Sequence, residues 1–72
     1  MPETITIQTP FIKLDALLKF AALCGSGGEA KTVIQKGLVS VNGEICAMRG
    51  KKIIPGDRVA FGGRELLVAH ES

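Results

Sequence analysis

The sequence predicts an α+β fold: an N-terminal strand, two short packed helices, and then a small antiparallel sheet of hairpins. Three observations predict it. Residues 3–8 alternate apolar and polar side chains, residues 13–36 repeat apolar ones at helical spacing, and the chain after Gly37 returns to a period of two punctuated by turn residues. With 72 residues, the chain has room for one modest core, since a domain of this size buries only about 60% of the surface its unfolded form exposes. One domain over residues 1–72 is therefore expected. Hydrophobic residues make up 46% and charged ones 22%, which excludes a disordered chain. The only aromatics are Phe11, Phe20 and Phe61, so the core must be mostly aliphatic.

The first strand sets Ile5 and Ile7 on one face and Thr4, Thr6 and Gln8 on the other, and Pro10 ends it. Leu14, Leu17, Leu18, Ala21 and Ala22 then fall on one helical face opposite Asp15 and Lys19, with Gly25 as the expected stop. Ser26-Gly27-Gly28-Glu29 has the form of a capping box, in which the Ser26 hydroxyl accepts from the Glu29 N–H and the Glu29 carboxylate reaches back to the Ser26 N–H. It opens a second helix that buries Ala30, Val33 and Ile34, carries Lys31 and Gln35 on another face, and stops at Gly37. Asn42-Gly43 predicts a type I′ hairpin turn between a strand of Leu38, Val39 and Val41 and one of Glu44 and Ile45. Residues 51–54 resume a strand, Pro55-Gly56-Asp57 turns it, and Gly62-Gly63 joins residues 58–61 to a last strand over 65–69.

Charge and motif spacing exclude several function classes. The net charge is only +2, too small to imply a polyanion partner by itself. Its distribution is uneven, however: between residues 30 and 55, Lys31, Lys36, Arg49, Lys51 and Lys52 are opposed only by Glu44, leaving the rest of the chain net acidic. A one-sided block of this kind makes a field that attracts phosphates. The first residues lack a basic segment followed by an apolar one, and no apolar run approaches the roughly 20 residues of a membrane span. Cys24 and Cys46 stand apart from each other and from His70, so no metal site, no redox pair and no cofactor is expected; of a Cys24–Cys46 disulfide and two reduced thiols in the core, both open from sequence, the thiols are expected. Asp15 and Asp57 read as helix and turn residues, too separate for a general acid and base, and His70 as an exposed tail residue. No enzyme is expected.

Lys13-Leu14-Asp15, Leu17-Leu18, Ser26-Gly27-Gly28-Glu29-Ala30-Lys31, Ile34, Gly37, Val39, Val41-Asn42-Gly43 and Pro55-Gly56-Asp57, in this order and spacing, resemble the α-L RNA-binding motif. That module is named after the fourth protein of the small ribosomal subunit, and the resemblance covers residues 12–61. It implies two helices and a small antiparallel sheet presenting a groove to structured RNA. Family members often carry Arg after the Ser that opens the second helix, where this chain has Gly27. The chain is similar to the short stand-alone bacterial members, which implies a cytoplasmic, ribosome-associated monomer whose partner is ribosomal or transfer RNA.

With that resemblance, the candidate RNA contacts are Lys13, Ser26, Lys31, Gln35, Lys36, Asn42, Arg49, Lys51 and Lys52. Lys31 with Gln35, and the basic stretch 49–52, offer phosphate contacts from a rigid support. Lys36 also complements a helix C-terminus, Ser26 opens a helix whose N–H groups suit a phosphate, and Asn42 serves the hairpin turn as well. Phe11 is expected to be partly exposed and Phe20 and Phe61 to lie in the core, so the chain lacks a base-stacking platform and recognition by shape is expected. The alternative function is a protein-interaction adapter that docks on a ribosomal protein or RNA-processing enzyme through its sheet or an exposed Leu66-Leu67 face.

Overall fold

The computed structural model describes residues 3–71, and Met1, Pro2 and Ser72, at the ends of the expected domain, lie outside the described residues. The elements are β1 (Glu3–Ile7), β2 (Ile12–Lys13), α1 (Leu14–Phe20), α2 (Gly27–Gln35), β3 (Val39–Val41), β4 (Glu44–Ile45), β5 (Lys52–Ile53), β6 (Arg58–Phe61) and β7 (Arg64–His70). Five strands form one sheet in the order β1-β7-β6-β3-β4, and β2 pairs with β5 in a second. The hairpins are antiparallel as expected. The N-terminal strand is different: β1 runs parallel to β7, with Ile5 beside Val68, so the main sheet is mixed.

Helix α1 ends earlier than its apolar spacing suggests. Its cap is Ala21, and Ala22 turns into the left-handed region at φ 59, so Gly25 is not the stop. The Leu23 and Cys24 N–H groups both donate to the Leu18 carbonyl, at 2.9 and 3.2 Å, which draws Cys24 into the core. A left-handed alanine costs about 1–2 kcal/mol, and glycine gives back roughly 0.4–1 kcal/mol of that through unfolded-chain entropy. Ala22→Gly should therefore stabilise the fold by up to about 1 kcal/mol, read as a higher urea midpoint with an unchanged slope.

Helix α2 starts at Ser26, whose hydroxyl accepts from the Glu29 N–H at 3.2 Å. The Glu29 carboxylate reaches back one residue further than expected, accepting from the Gly25 N–H at 3.2 Å rather than from Ser26. The helix ends in a Schellman motif. Gly37, at φ 73, donates to the Ile34 carbonyl while Leu38 donates to that of Val33, both at 3.1 Å. The Asn42-Gly43 turn has φ of 53 and 85, the paired positive values of a type I′ hairpin.

The core lies between the helices and one face of the sheet. Leu14, Leu17 and Leu18 from α1, Ala30 and Ile34 from α2, and Val39, Ile53, Val59 and Leu66 from the strands are fully buried. Val41, Val59 and Leu66 occupy matching positions on three adjacent strands, and such cross-strand neighbours are what hold a sheet in register. Two expectations fail here. Leu66 belongs to this row and Leu67 is half-buried, so no exposed Leu66-Leu67 face exists; strand alternation sends two adjacent leucines to opposite sides. Phe20, expected in the core, is 62% exposed because α1 stops under it.

The parallel pairing brings the two ends of the described chain together. Arg64 donates two hydrogen bonds to the Glu3 carboxylate at 2.6 and 2.7 Å, and Gln8 donates to Glu71 at 2.6 Å. The Arg64 guanidinium, by hydrogen bonding first and charge second, holds the Glu3 carboxyl below its usual value. A lowered folded pKa adds stability that is complete above the ordinary value of 4.5 and is lost as pH falls through the folded one. Urea midpoints of the parent and of Glu3→Gln should thus differ modestly at neutral pH, as expected for an exposed pair, and converge in acid.

Candidate nucleic-acid interface

All nine candidate contact residues are exposed, and four of them converge. Lys13 and Lys52 are direct cross-strand partners in the β2–β5 pair. Like charges in that position repel and destabilise a sheet, so the fold sets two lysines opposite each other without an acid between them. Arg49 and Lys51 are brought to the same place through their backbone. The Lys51 carbonyl accepts from the Leu14 N–H at 2.9 Å and the Arg49 carbonyl from the Asp15 N–H at 3.2 Å.

These two bonds explain how α1 starts. Its N-cap, Lys13, makes no side-chain capping bond, and a helix must satisfy its first N–H groups by some other means. The carbonyls of the basic stretch do so, which pins the irregular segment carrying Arg49 and Lys51 to the helix that follows Lys13. A turn closed by Lys51 N–H to the Met48 carbonyl at 3.1 Å places Arg49 and Gly50 at its tip. Lys52 is steadied further by Phe11, whose ring centroid lies 4.9 Å from its Nζ, a cation–π contact on a partly exposed ring. Phe11 was not among the expected site residues; its expected partial exposure is the signal that the sequence carried.

Lys31 and Gln35 share the exposed face of α2, one turn apart, with Lys36 at its C-cap. The end of α2 approaches the hairpin beside the basic cluster: a β-carbon on Gly37 would lie 3.5 Å from Ile45 Cγ2. Ile45 in turn lines a groove of about 590 Å³ together with Lys51 and Lys52. Two candidates also serve the fold. Asn42 donates to the Asp57 carboxylate at 3.1 Å and accepts from the Arg58 N–H at 2.9 Å, tying the hairpin turn to the turn at residues 55–57. Ser26 is occupied as the α2 cap, and the Glu29 carboxylate beside it already supplies the negative charge that a helix start attracts.

The two signs of charge are used differently across the molecule. Among the described residues, the ion pairs are Arg64–Glu3 and Arg58–Glu65, which leaves every lysine and Arg49 without one. The acids are nearly all engaged: Asp15 accepts from the Ala16 N–H, Glu29 from Gly25, Asp57 from Asn42 and Ile54, and Glu71 from Gln8. Only Glu44 has neither a side-chain hydrogen bond nor an ion pair among the described residues. Uncompensated lysines around a preformed surface can meet phosphates without first breaking internal pairs.

Cys24 is buried and Cys46 half-buried, and neither is in a disulfide. Burial, with the Glu29 charge second, pushes the Cys24 thiol up, away from the thiolate that nucleophilic chemistry needs. Among the described residues, no group of three or more His, Cys, Asp or Glu could hold a metal ion, and no helix is long and apolar enough to cross a membrane.

Comparison with known proteins places this geometry among relatives. A family model described as the S4 domain matches residues 5–69. The chain is 40% identical over 63 residues to the probable ribosome maturation protein RlbA of Bacillus subtilis (strain 168), covering 88% of this chain and 89% of that protein. It is 36% identical over 59 residues to the putative RNA-binding protein YbcJ of Escherichia coli (strain K12), covering 82% and 84%. The solution structure of YbcJ from E. coli, described as revealing an alfaL motif involved in RNA-binding, superposes with a TM-score of 0.73 at 31% identity, over 96% of this chain and 89% of that one.

Proposed function

The chain belongs to the S4-domain family, and from that membership we propose that it is a non-catalytic protein that binds folded RNA through phosphate contacts. The contact surface is the cluster of Lys13, Arg49, Lys51 and Lys52, extended by Lys31, Gln35 and Lys36 on α2. The observation that carries this reading is the Lys13–Lys52 pair, two like charges set opposite each other at a cost to the fold that an anionic partner would reverse. The absence of any ion pair to these residues among the described ones supports it. Ser26 and Asn42 stand outside the proposed contact set because their side chains serve the fold.

Ribosomal RNA is the leading partner, supported by the relative named as a probable ribosome maturation protein. Phe11 is engaged by Lys52, Phe61 is half-buried, and the exposed Phe20 is a single ring that does not line the groove beside the basic cluster, so recognition rests on the shape of the RNA rather than on a row of stacking rings. The protein acts as a monomer in the cytoplasm. The adapter alternative, which docks through the sheet or through an exposed Leu66-Leu67 face, loses the second of these, since Leu66 is fully buried. Crosslinking in cells, followed by sequencing of the attached RNA, tests the proposal. Ribosomal RNA fragments should be enriched at folded segments, whereas recovery no greater than in an uncrosslinked control would overturn it.

A further inference from the structure

Three large apolar side chains are left exposed beside the basic cluster. Ile45 is 72% exposed, Met48 66% and Ile54 51%, and all three line the groove of about 590 Å³ that Lys51 and Lys52 border. Exposed aliphatic residues scattered singly need no explanation, but three around one groove do. Glu44 also lines it, the acid that has no side-chain partner among the described residues. An acid beside a phosphate-binding lysine pair would weaken phosphate binding, so its place here calls for a different partner group.

Resting on the RNA-binding reading, we infer that this groove receives one nucleobase extruded from the bound RNA, at a bulge or loop, while Lys51 and Lys52 hold the phosphates on either side of it. Ile45, Met48 and Ile54 cover the faces of the base without an aromatic partner. The Glu44 carboxylate accepts a hydrogen bond from an exocyclic amino group, as acidic side chains do from cytosine N4. The groove lies within the roughly 300–1,000 Å³ of small-molecule sites and combines apolar walls with polar groups, the mixture a base requires. The preferred RNA is thus a helix interrupted by an unpaired base that carries an amino group, in preference to uracil. Unpaired bases are where proteins read RNA edges, because paired ones are hidden in the deep groove of the A-form helix.

The test uses hairpin RNAs with the same stem, fully paired or carrying one bulged cytidine or uridine. The protein should bind the cytidine bulge about tenfold more tightly than the paired stem, the ratio given by burying roughly 55 Å² of apolar surface. Met48→Ser with Ile54→Ser, both at exposed positions, should bring that ratio close to one while leaving affinity for the paired stem unchanged. Glu44→Ala should remove the preference for cytidine over uridine. A bulged 2-aminopurine should brighten on binding, because it leaves its stacked neighbours for a groove without aromatic rings. Equal affinity of the parent protein for bulged and paired stems overturns this inference and leaves the RNA-binding reading standing, whereas binding to neither RNA overturns both. A serine double variant that keeps the tenfold ratio, or that instead loses a ribosomal protein partner, also overturns it.

Discussion

Replacing Arg49, Lys51 and Lys52 together with alanine is expected to lower affinity for folded RNA by roughly a hundredfold or more at about 0.1 M salt, since each neutralised phosphate contributes a salt exponent of about 0.7–0.9. The fold should survive. All three side chains are exposed, and the bonds that anchor this segment come from the carbonyls of Lys51 and Arg49, which the substitutions keep. Removing Lys52 relieves its repulsion with Lys13 and also removes its cation–π contact with Phe11, so the triple variant should resist urea about as well as the parent. Filter binding and urea titration on the same preparations separate the two effects. Lost affinity with unchanged stability is the signature of contact residues that the fold does not need; unchanged affinity would move the contact surface elsewhere.

The second large effect comes from beneath the cluster. Ile53, next to Lys52 in β5, is fully buried in the core and pairs with Ile12 across the short β2–β5 ladder. Truncating a buried isoleucine to alanine costs about 2–5 kcal/mol, while a domain of this length has only roughly 4–11 kcal/mol in total. Ile53→Ala should therefore bring the protein close to half-unfolded at 37 °C. Ile53→Val, at about 0.5–1.5 kcal/mol, should stay folded and bind RNA as the parent does. In Ile53→Ala, binding should recover when saturating RNA is added, because a ligand that binds only the folded form raises its population. Circular dichroism against temperature, with and without RNA, reads all three outcomes.

The local elements were legible because each rests on a short-range rule. Asn42-Gly43 specified its own turn through two positive φ values, and Ser26 and Gly37 bracketed α2 through caps that span only a few residues. What was not legible depends on partners far along the chain. Alternation announced β1, but nothing in residues 3–8 says that its neighbour is β7 or that the two run parallel. The end of α1 was misjudged because Ala21 and Ala22 continue the apolar spacing. The chain leaves the helix there at the expense of a left-handed alanine, and in exchange Cys24 reaches the core. Leu66 was misplaced for a simpler reason: adjacent residues in a strand face opposite ways.

The same division runs through the site. Composition and spacing singled out Arg49, Lys51 and Lys52, yet their juxtaposition with Lys13 arises from the β2–β5 pairing and from two carbonyls that cap α1. Neither is visible without the fold. Asn42 and Ser26 were attractive because polar side chains at turns and helix starts suit both RNA and the backbone; Ser26 accepts from the Glu29 N–H, and Asn42 accepts from the Arg58 N–H while donating to the Asp57 carboxylate. Ile45, Met48 and Ile54 gave no signal at all. Each falls in a short or irregular segment where apolar residues ordinarily mark a core.

The central claim is that folded RNA is held by phosphates on a surface with its lysines already unpaired. It is tested most directly by the dependence of the dissociation constant on salt for a folded ribosomal RNA fragment. Four phosphate contacts, from Lys13, Arg49, Lys51 and Lys52, predict a log–log slope for the binding constant of about −3 or steeper. A slope near zero would contradict the account.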